Sequence, residues 1–321
     1  MAGEKKSKPK DGWRQMDFKN FLCLPNYKCG IVIFSVICFI SFILTIIILS
    51  YSYQIKEVQS DKFKLNFDNN QTSSKKLVQT EITIDEDMED PVFLYIIFYD
   101  FHQNHRIYSK SRSKSQLADK TDSTLSTSCS PLYELGDLDY NITILNKEHP
   151  GVKKDGVLNP CGLLPRSYYH LNISINTPAG DDVNTTYKSI QLSLKDISWK
   201  SDNEDKYKNS KSSLDVEDKQ FKNWMRTSPT KTLQKLYGKI EEDLKEDQIL
   251  NFNLTLMSTL YFDYEPEARI FLSTSTRIGG KNLVLGYTFL VITILSLVWT
   301  IMFTLFEYNS HCKKRYGDKL G

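Results

Sequence analysis

Residues 30–52 read GIVIFSVICFISFILTIIILSYS, and residues 283–306 read LVLGYTFLVITILSLVWTIMFTLF. Neither stretch holds a charged side chain. Each supplies the roughly twenty apolar residues that a helix needs to cross a ~30 Å hydrocarbon layer. The first run is too long for a signal-peptide core, and Tyr51-Ser52-Tyr53-Gln54 after it makes a poor cleavage site. The chain therefore reads as two spans with about 230 residues between them.

Charge sets the expected orientation. Lys5, Lys6, Lys8, Lys10, Arg14, Lys19 and Lys28 precede the first span, and Lys313, Lys314, Arg315 and Lys319 follow the second. Basic residues flanking spans stay in the cytosol, and long loops translocate whatever their charge. This predicts a cytosolic N-terminal tail (1–29), a first transmembrane helix (30–52) and a luminal or extracellular domain (53–282). A second transmembrane helix (283–306) and a cytosolic C-terminal tail (307–321) complete the chain.

The net charge of +2 argues against a nucleic-acid partner. Cys23, Cys29 and Cys312 fall on the cytosolic side and Cys38 inside the first span. Cys29 and Cys312 are juxtamembrane, where a thiol is either free or acylated. Cys129 and Cys161 alone lie in the ectodomain, where an oxidising compartment allows them one pairing. Closing that loop contributes on the order of 3 kcal/mol in the chain-entropy model. N-x-S/T sequons at Asn70, Asn141, Asn172, Asn184 and Asn253 are candidates for N-glycosylation.

Between the spans, residues 56–76 read as a polar stalk or loose strand. LVQTEITI and PVFLYIIFY, within residues 77–99, carry the alternation and apolar run of strands. Residues 109–130 are rich in Ser, Lys and Thr and read as a surface loop. Ser228 as N-cap, Pro229 at the first position and an apolar face of Leu233, Leu236, Ile240 and Leu244 predict a helix over 229–245. Residues 249–262 and 268–274 read as strands, and Gly279-Gly280 breaks the pattern before the second span. The fold class is two transmembrane α-helices plus a mixed, β-rich (α+β) ectodomain with an antiparallel sheet.

Catalytic and metal-binding patterns are missing from the sequence. His102 and His105 lack a third ligand at metal-site spacing and read as structural. No nucleophile elbow, phosphate-binding loop or HExxH motif occurs. The spans carry only Ser, Thr, Cys and Tyr as polar side chains, whereas ion and proton paths need ionisable groups at depth. Thr293, Ser296 and Thr300 form one stripe able to face a partner helix.

Six blocks occur in order between residues 95 and 300. They are FHQNHRIYSKSR (101–112) with Gln116-Leu117, CSP (129–131) with PCGL (160–163), and ISWKSD (197–202). NWMRT (223–227) with KLYG (235–238), LSTSTRIGGKN (272–282) and Leu285-Gly286 follow. Together they resemble the cell cycle control protein fifty family, also called the ligand-effect modulator three family. Its members are beta subunits of type IV P-type ATPases, the phospholipid flippases. The chain departs from it in lacking further cysteines after the first span and in reading LPRSYY after PCGL.

The resemblance implies a non-catalytic accessory subunit without cofactors. It would form a heterodimer with a type IV P-type ATPase alpha subunit, contact membrane lipids, and act in folding, export from the endoplasmic reticulum and the transport cycle. The membrane would be that of the endoplasmic reticulum, Golgi, endosome or cell surface. Arg106, Arg112, Arg226 and Arg277 offer rigid donors for internal pairs or for interface carboxylates. Lys281 and Asn282 stand at the expected membrane surface, and Trp199 and Trp224 read as core. A two-span ligand-gated channel subunit is the alternative of another class, although such ectodomains are usually cysteine-rich. A membrane-anchored glycan-processing enzyme is weaker still, without a paired-carboxylate signature.

Overall fold

A computed structural model describes residues 26–65, 76–120, 124–137, 156–178, 187–204, 206–208, 212, 214–258, 266–276 and 279–317. The two apolar helices form one unit and Tyr51–Lys281 another. Helix α1 spans Tyr27–Gln54, and the last helix, α8, spans Leu283–Gly317.

The two long helices pack on each other through small residues. Thr293 Oγ1 donates to Ser41 Oγ at 2.9 Å, and Cys38 Sγ lies 3.7 Å from the Thr293 carbonyl. Gly30 abuts the Phe303 ring and Gly286 abuts Leu49, so backbones approach where side chains are missing. Phe34 stacks on Trp299 and Phe303. The hydroxyl stripe therefore turns Thr293 toward the chain's own first span. Ser296, Thr300 and Thr304 donate back to carbonyls one turn earlier, which satisfies them without a partner.

Among the described residues the domain holds ten strands. They are β1 (Glu57–Gln59), β2 (Phe63–Lys64), β3 (Lys76–Thr83), β4 (Val92–Phe98), β5 (His170–Pro178), β6 (Tyr187–Ile190), β7 (Leu192–Ser193), β8 (Leu233–Ile240), β9 (Ile249–Ser258) and β10 (Glu267–Ser273). One sheet has the order β1-β10-β4-β8-β7, with β2 also paired to β10. The other has the order β3-β9-β5-β6, and every recorded pairing is antiparallel. Alternation makes each sheet one-sided. Val92, Leu94, Ile96 and Phe98 of β4 are fully buried, as are Leu250, Phe252 and Leu254 of β9. Both sets belong to one continuous core.

Of the stalk and strand alternatives for residues 56–76, the strand holds for β1 and β2, which pair with β10 at the sheet edge, and edge position explains their polarity. Two readings need correction. Residues 106–129 are not a plain surface loop. They hold three short helices, α2 (Arg106–Lys110), α3 (Lys114–Leu117) and α4 (Leu125–Cys129), with Ser111, Ser113 and Leu117 buried among them. Residues 233–240 are strand β8, not helix. The pairing of β8 with β4 slips between Leu94 and Tyr95, leaving Tyr237 as an extra, bulged residue. In a regular strand, positions seven apart face opposite sides. The bulge restores Leu233 and Ile240 to the same buried face, which is also what a helix would do.

Candidate functional site

Three of the resembling blocks meet around the turn after helix α7 (Lys219–Trp224). Asp218 caps that helix by accepting from the Gln220 and Phe221 amides. At its other end the carbonyls lack partners within the helix. Lys235 of β8 fills that role, donating to Asn223 O, Trp224 O and Arg226 O. Burial pulls the Lys235 ammonium down to about 7. Arg112 Nη1 donates to Met225 O at 3.1 Å, and Asn104 Nδ2 to Pro229 O at 2.8 Å. The Ser228 amide donates to Gln103 Oε1. Four side chains from two separate blocks thus fix one turn.

Beneath the turn Trp224 is buried, its indole donating to Leu164 O and its ring set edge-on to Phe98, Phe101 and Tyr169. The disulfide between Cys129 and Cys161, with Cα atoms 5.5 Å apart, closes the neighbouring segment. Gln116 clamps it, donating to Leu158 O and accepting from the Cys161 amide, both at 2.8 Å. Ser111 Oγ donates to Cys129 O and accepts from Leu163 N. Gly162, at φ +102°, lies so close that an added Cβ would sit 2.2 Å from Ser111 O. Arg166, in the short helix α5 (Leu163–Arg166), is buried and donates to Pro160 O at 2.6 Å.

On the surface, Arg226 places Nε and Nη2 each 2.7 Å from Asp202 Oδ2, while Lys206 takes Oδ1. Burial raises the Asp202 carboxyl, but hydrogen bonds from Lys206 and Arg226 outweigh it and leave the group below the ordinary carboxylate value. The Arg226 guanidinium lies 4.3 Å over the Trp199 ring. Trp199 is 64% exposed, which corrects its reading as core; the aromatic core space is filled by Trp224.

The other candidates are scattered. Arg106 is exposed, as are His102 and His105, and Arg277 lies outside the described residues. Lys281 pairs with Glu57 at 3.7 Å, and Asn282 caps α8 by accepting from Leu285 N. Asn70, Asn141 and Asn184 also lie outside the described residues. Asn172 is exposed, and half-buried Asn253 accepts from Gln79. These two sequons face each other in register, with Asn172 opposite Thr255 and Ser174 opposite Asn253. A groove beside His170 and Leu192 contains Asp215 and Asp218, but Asp218 accepts from Tyr168 and Asp215 from backbone amides. Among the described residues no group of three or more His, Cys, Asp or Glu is arranged to hold a metal. Gln103, Gln116, Gly162, Asp202 and Lys235 were in the quoted blocks, but their roles become apparent only when distant segments meet.

A site of this kind holds surfaces in place; its donors are engaged in positioning backbone. Fold and site define a two-span membrane protein whose bulk is a disulfide-closed two-sheet domain. The chain belongs to the LEM3 (ligand-effect modulator 3)/CDC50 family, whose profile matches residues 37–313. It is 29% identical to ALA-interacting subunit 3 of Arabidopsis thaliana, over 73% of this chain and 65% of that protein. It is 24% identical to cell cycle control protein 50A of Mus musculus, over 74% and 70% respectively. Identity to the phospholipid-transporting ATPase accessory subunit LEM3 of Saccharomyces cerevisiae is 24%, over 68% and 55%. The chain spans a little under two thirds of the length of the plant relatives it matches, 64% to 65%.

Proposed function

We propose that this protein is a non-catalytic accessory subunit of a phospholipid-transporting P-type ATPase. The observation that carries the reading is the family match, which runs from within the first long helix through the domain and into the last helix. The yeast relative's name calls that protein a phospholipid-transporting ATPase accessory subunit. ATP use and lipid passage belong to the alpha subunit, of the type IV class, with which the chain pairs one to one. The chain's part is to assist folding, export from the endoplasmic reticulum and the transport cycle. Its two-sheet domain faces the lumen or cell exterior, where the Cys129–Cys161 bond is stable, and its basic tails face the cytosol. Arg106, Arg277, Lys281 and Asn282 remain proposed contacts for the partner. The test is purification of the tagged chain in a mild detergent. A co-purifying ATPase of the P-type class in equal amount is the expected result; a homotrimer without one overturns the reading.

A further inference from the structure

Trp199 is an exposed indole held in one conformation. Its carbonyl accepts from the Asp202 and Asn203 amides, which fixes its backbone at the start of helix α6 (Lys200–Glu204). Its ring is stacked beneath Arg226, and Arg226 is itself locked to Asp202 through two nitrogens. The turn carrying Arg226 is in turn held by Lys235 and Arg112. A large side chain already ordered before binding loses little entropy on contact. Trp and Arg are the residue types that dominate interface energetics.

The chemistry of this spot is one-sided. Arg226 uses Nε and Nη2 on Asp202, so Nη1 remains for the surface. No hydrogen bond is recorded from the Trp199 indole N–H, and exposed Lys200 stands next to it. Both Trp and Arg are donors only. The Asp202 carboxylate nearby is consumed by Arg226 and Lys206. A complementary partner must bring acceptors, and the remaining Nη1 donor beside an apolar ring suits a carboxylate next to an apolar side chain.

We propose that Trp199 and Arg226 form a docking contact for a carboxylate-bearing loop of the partner ATPase on the same side of the membrane. The inference rests on the accessory-subunit reading and names where that partner binds. Trp199 is the variant to use, because its exposure frees its removal from core effects. The full-length chain with Trp199→Ala is compared with wild type and with Trp199→Phe for the ATPase retained after mild-detergent purification. Retention should fall about ten-fold or more for Trp199→Ala and partly recover in Trp199→Phe, with thermal unfolding of the chain unchanged. A photo-crosslinking benzoylphenylalanine at position 199 should join a peptide of that ATPase containing Asp or Glu. Wild-type retention in Trp199→Ala overturns the proposal, as does an adduct to a second copy of this chain or to another protein. If the wild-type chain retains no ATPase, the accessory reading fails, and the docking contact with it.

Discussion

Lys235 donates its buried ammonium to the Trp224 carbonyl at 3.2 Å, joining strand β8 to the end of helix α7. The link replaces hydrogen bonds that the helix end cannot make for itself. It also carries an electrostatic consequence, since burial brings the lysine down from 10.5 to about 7. Between those values the unfolded chain binds more protons than the folded one, so stability rises with pH across that window. The slope has an upper limit of about 1.4 kcal/mol per pH unit. Lys235→Met removes both the titration and the donor, leaving the carbonyls unpaired at about 1–3 kcal/mol. Denaturant unfolding of the full chain should show a gap between wild type and variant that widens from neutral pH toward pH 10. A constant gap sinks the argument.

Gly162 and Gly238 should respond differently to alanine. At Gly162 the backbone is at φ +102° and the obstructing atoms are Ser111 O and C and Arg112 N, none of which can swing aside. Gly162→Ala is expected to lose ~3 kcal/mol or more and to block export of the chain. At Gly238 the obstruction is the Leu192 side chain, 2.4 Å away, which can shift. Gly238→Ala should lose about 1–3 kcal/mol, with Leu192→Ala restoring part of it. Thermal unfolding of the three purified variants checks the order; equal losses at both glycines contradict it.

The legible part of the fold was the part with local periodicity. The spans declare themselves by length and lack of charge, and β4, β9 and β10 by apolar alternation or runs. Strand β8 was hidden because the Tyr237 bulge gives Leu233 and Ile240 a helical spacing. Ser228 and Pro229, which resembled a helix start, belong instead to the turn pinned by Gln103 and Asn104. The site itself was legible as blocks but not as contacts. Asp202 and Arg226 are separated by 24 residues and Gln103 and Ser228 by 125, and nothing in either neighbourhood announces the pairing. Trp199 was misplaced for a related reason: its partner Arg226 lies in another block, so local sequence offered no reason for an indole outside the core.

Asp202 carries a prediction of the same pH sign in an acidic window. Its folded carboxyl lies below the ordinary 3.8, so its pairing stabilises the chain above that value and is lost as pH falls through the folded one. Arg226 and Lys206 are both substantially solvent-exposed, which limits the effect to about 1 kcal/mol. Asp202→Asn should lower stability by that amount near neutral pH, and the difference from wild type should shrink on acidification toward about pH 3. The Asn variant should also free Arg226 from its fork and increase acrylamide quenching of Trp199. A stability difference that grows with acid contradicts the sign.

The two long helices offer a test of what holds them together. Ser41 and Thr293 share a 2.9 Å hydrogen bond, but each hydroxyl also has a carbonyl on its own helix, Cys38 O for Ser41 and Phe289 O for Thr293. Breaking the cross-helix bond therefore leaves neither group without a partner. The coupling in a Ser41→Ala, Thr293→Val double-mutant cycle should be small, about 0.6 kcal/mol. Close packing should matter more. A Cβ at Gly286 would lie 2.4 Å from Leu49 Cδ2, so Gly286→Val must push the helices apart. Disulfide trapping between cysteines placed at Ile48 and Leu285 in the full chain, with the native thiols changed to serine, reports that separation. Trapping should persist in the hydroxyl variants and fall sharply in Gly286→Val. Loss of trapping in Ser41→Ala with full trapping in Gly286→Val would show that the hydrogen bond, rather than backbone approach, governs the pair.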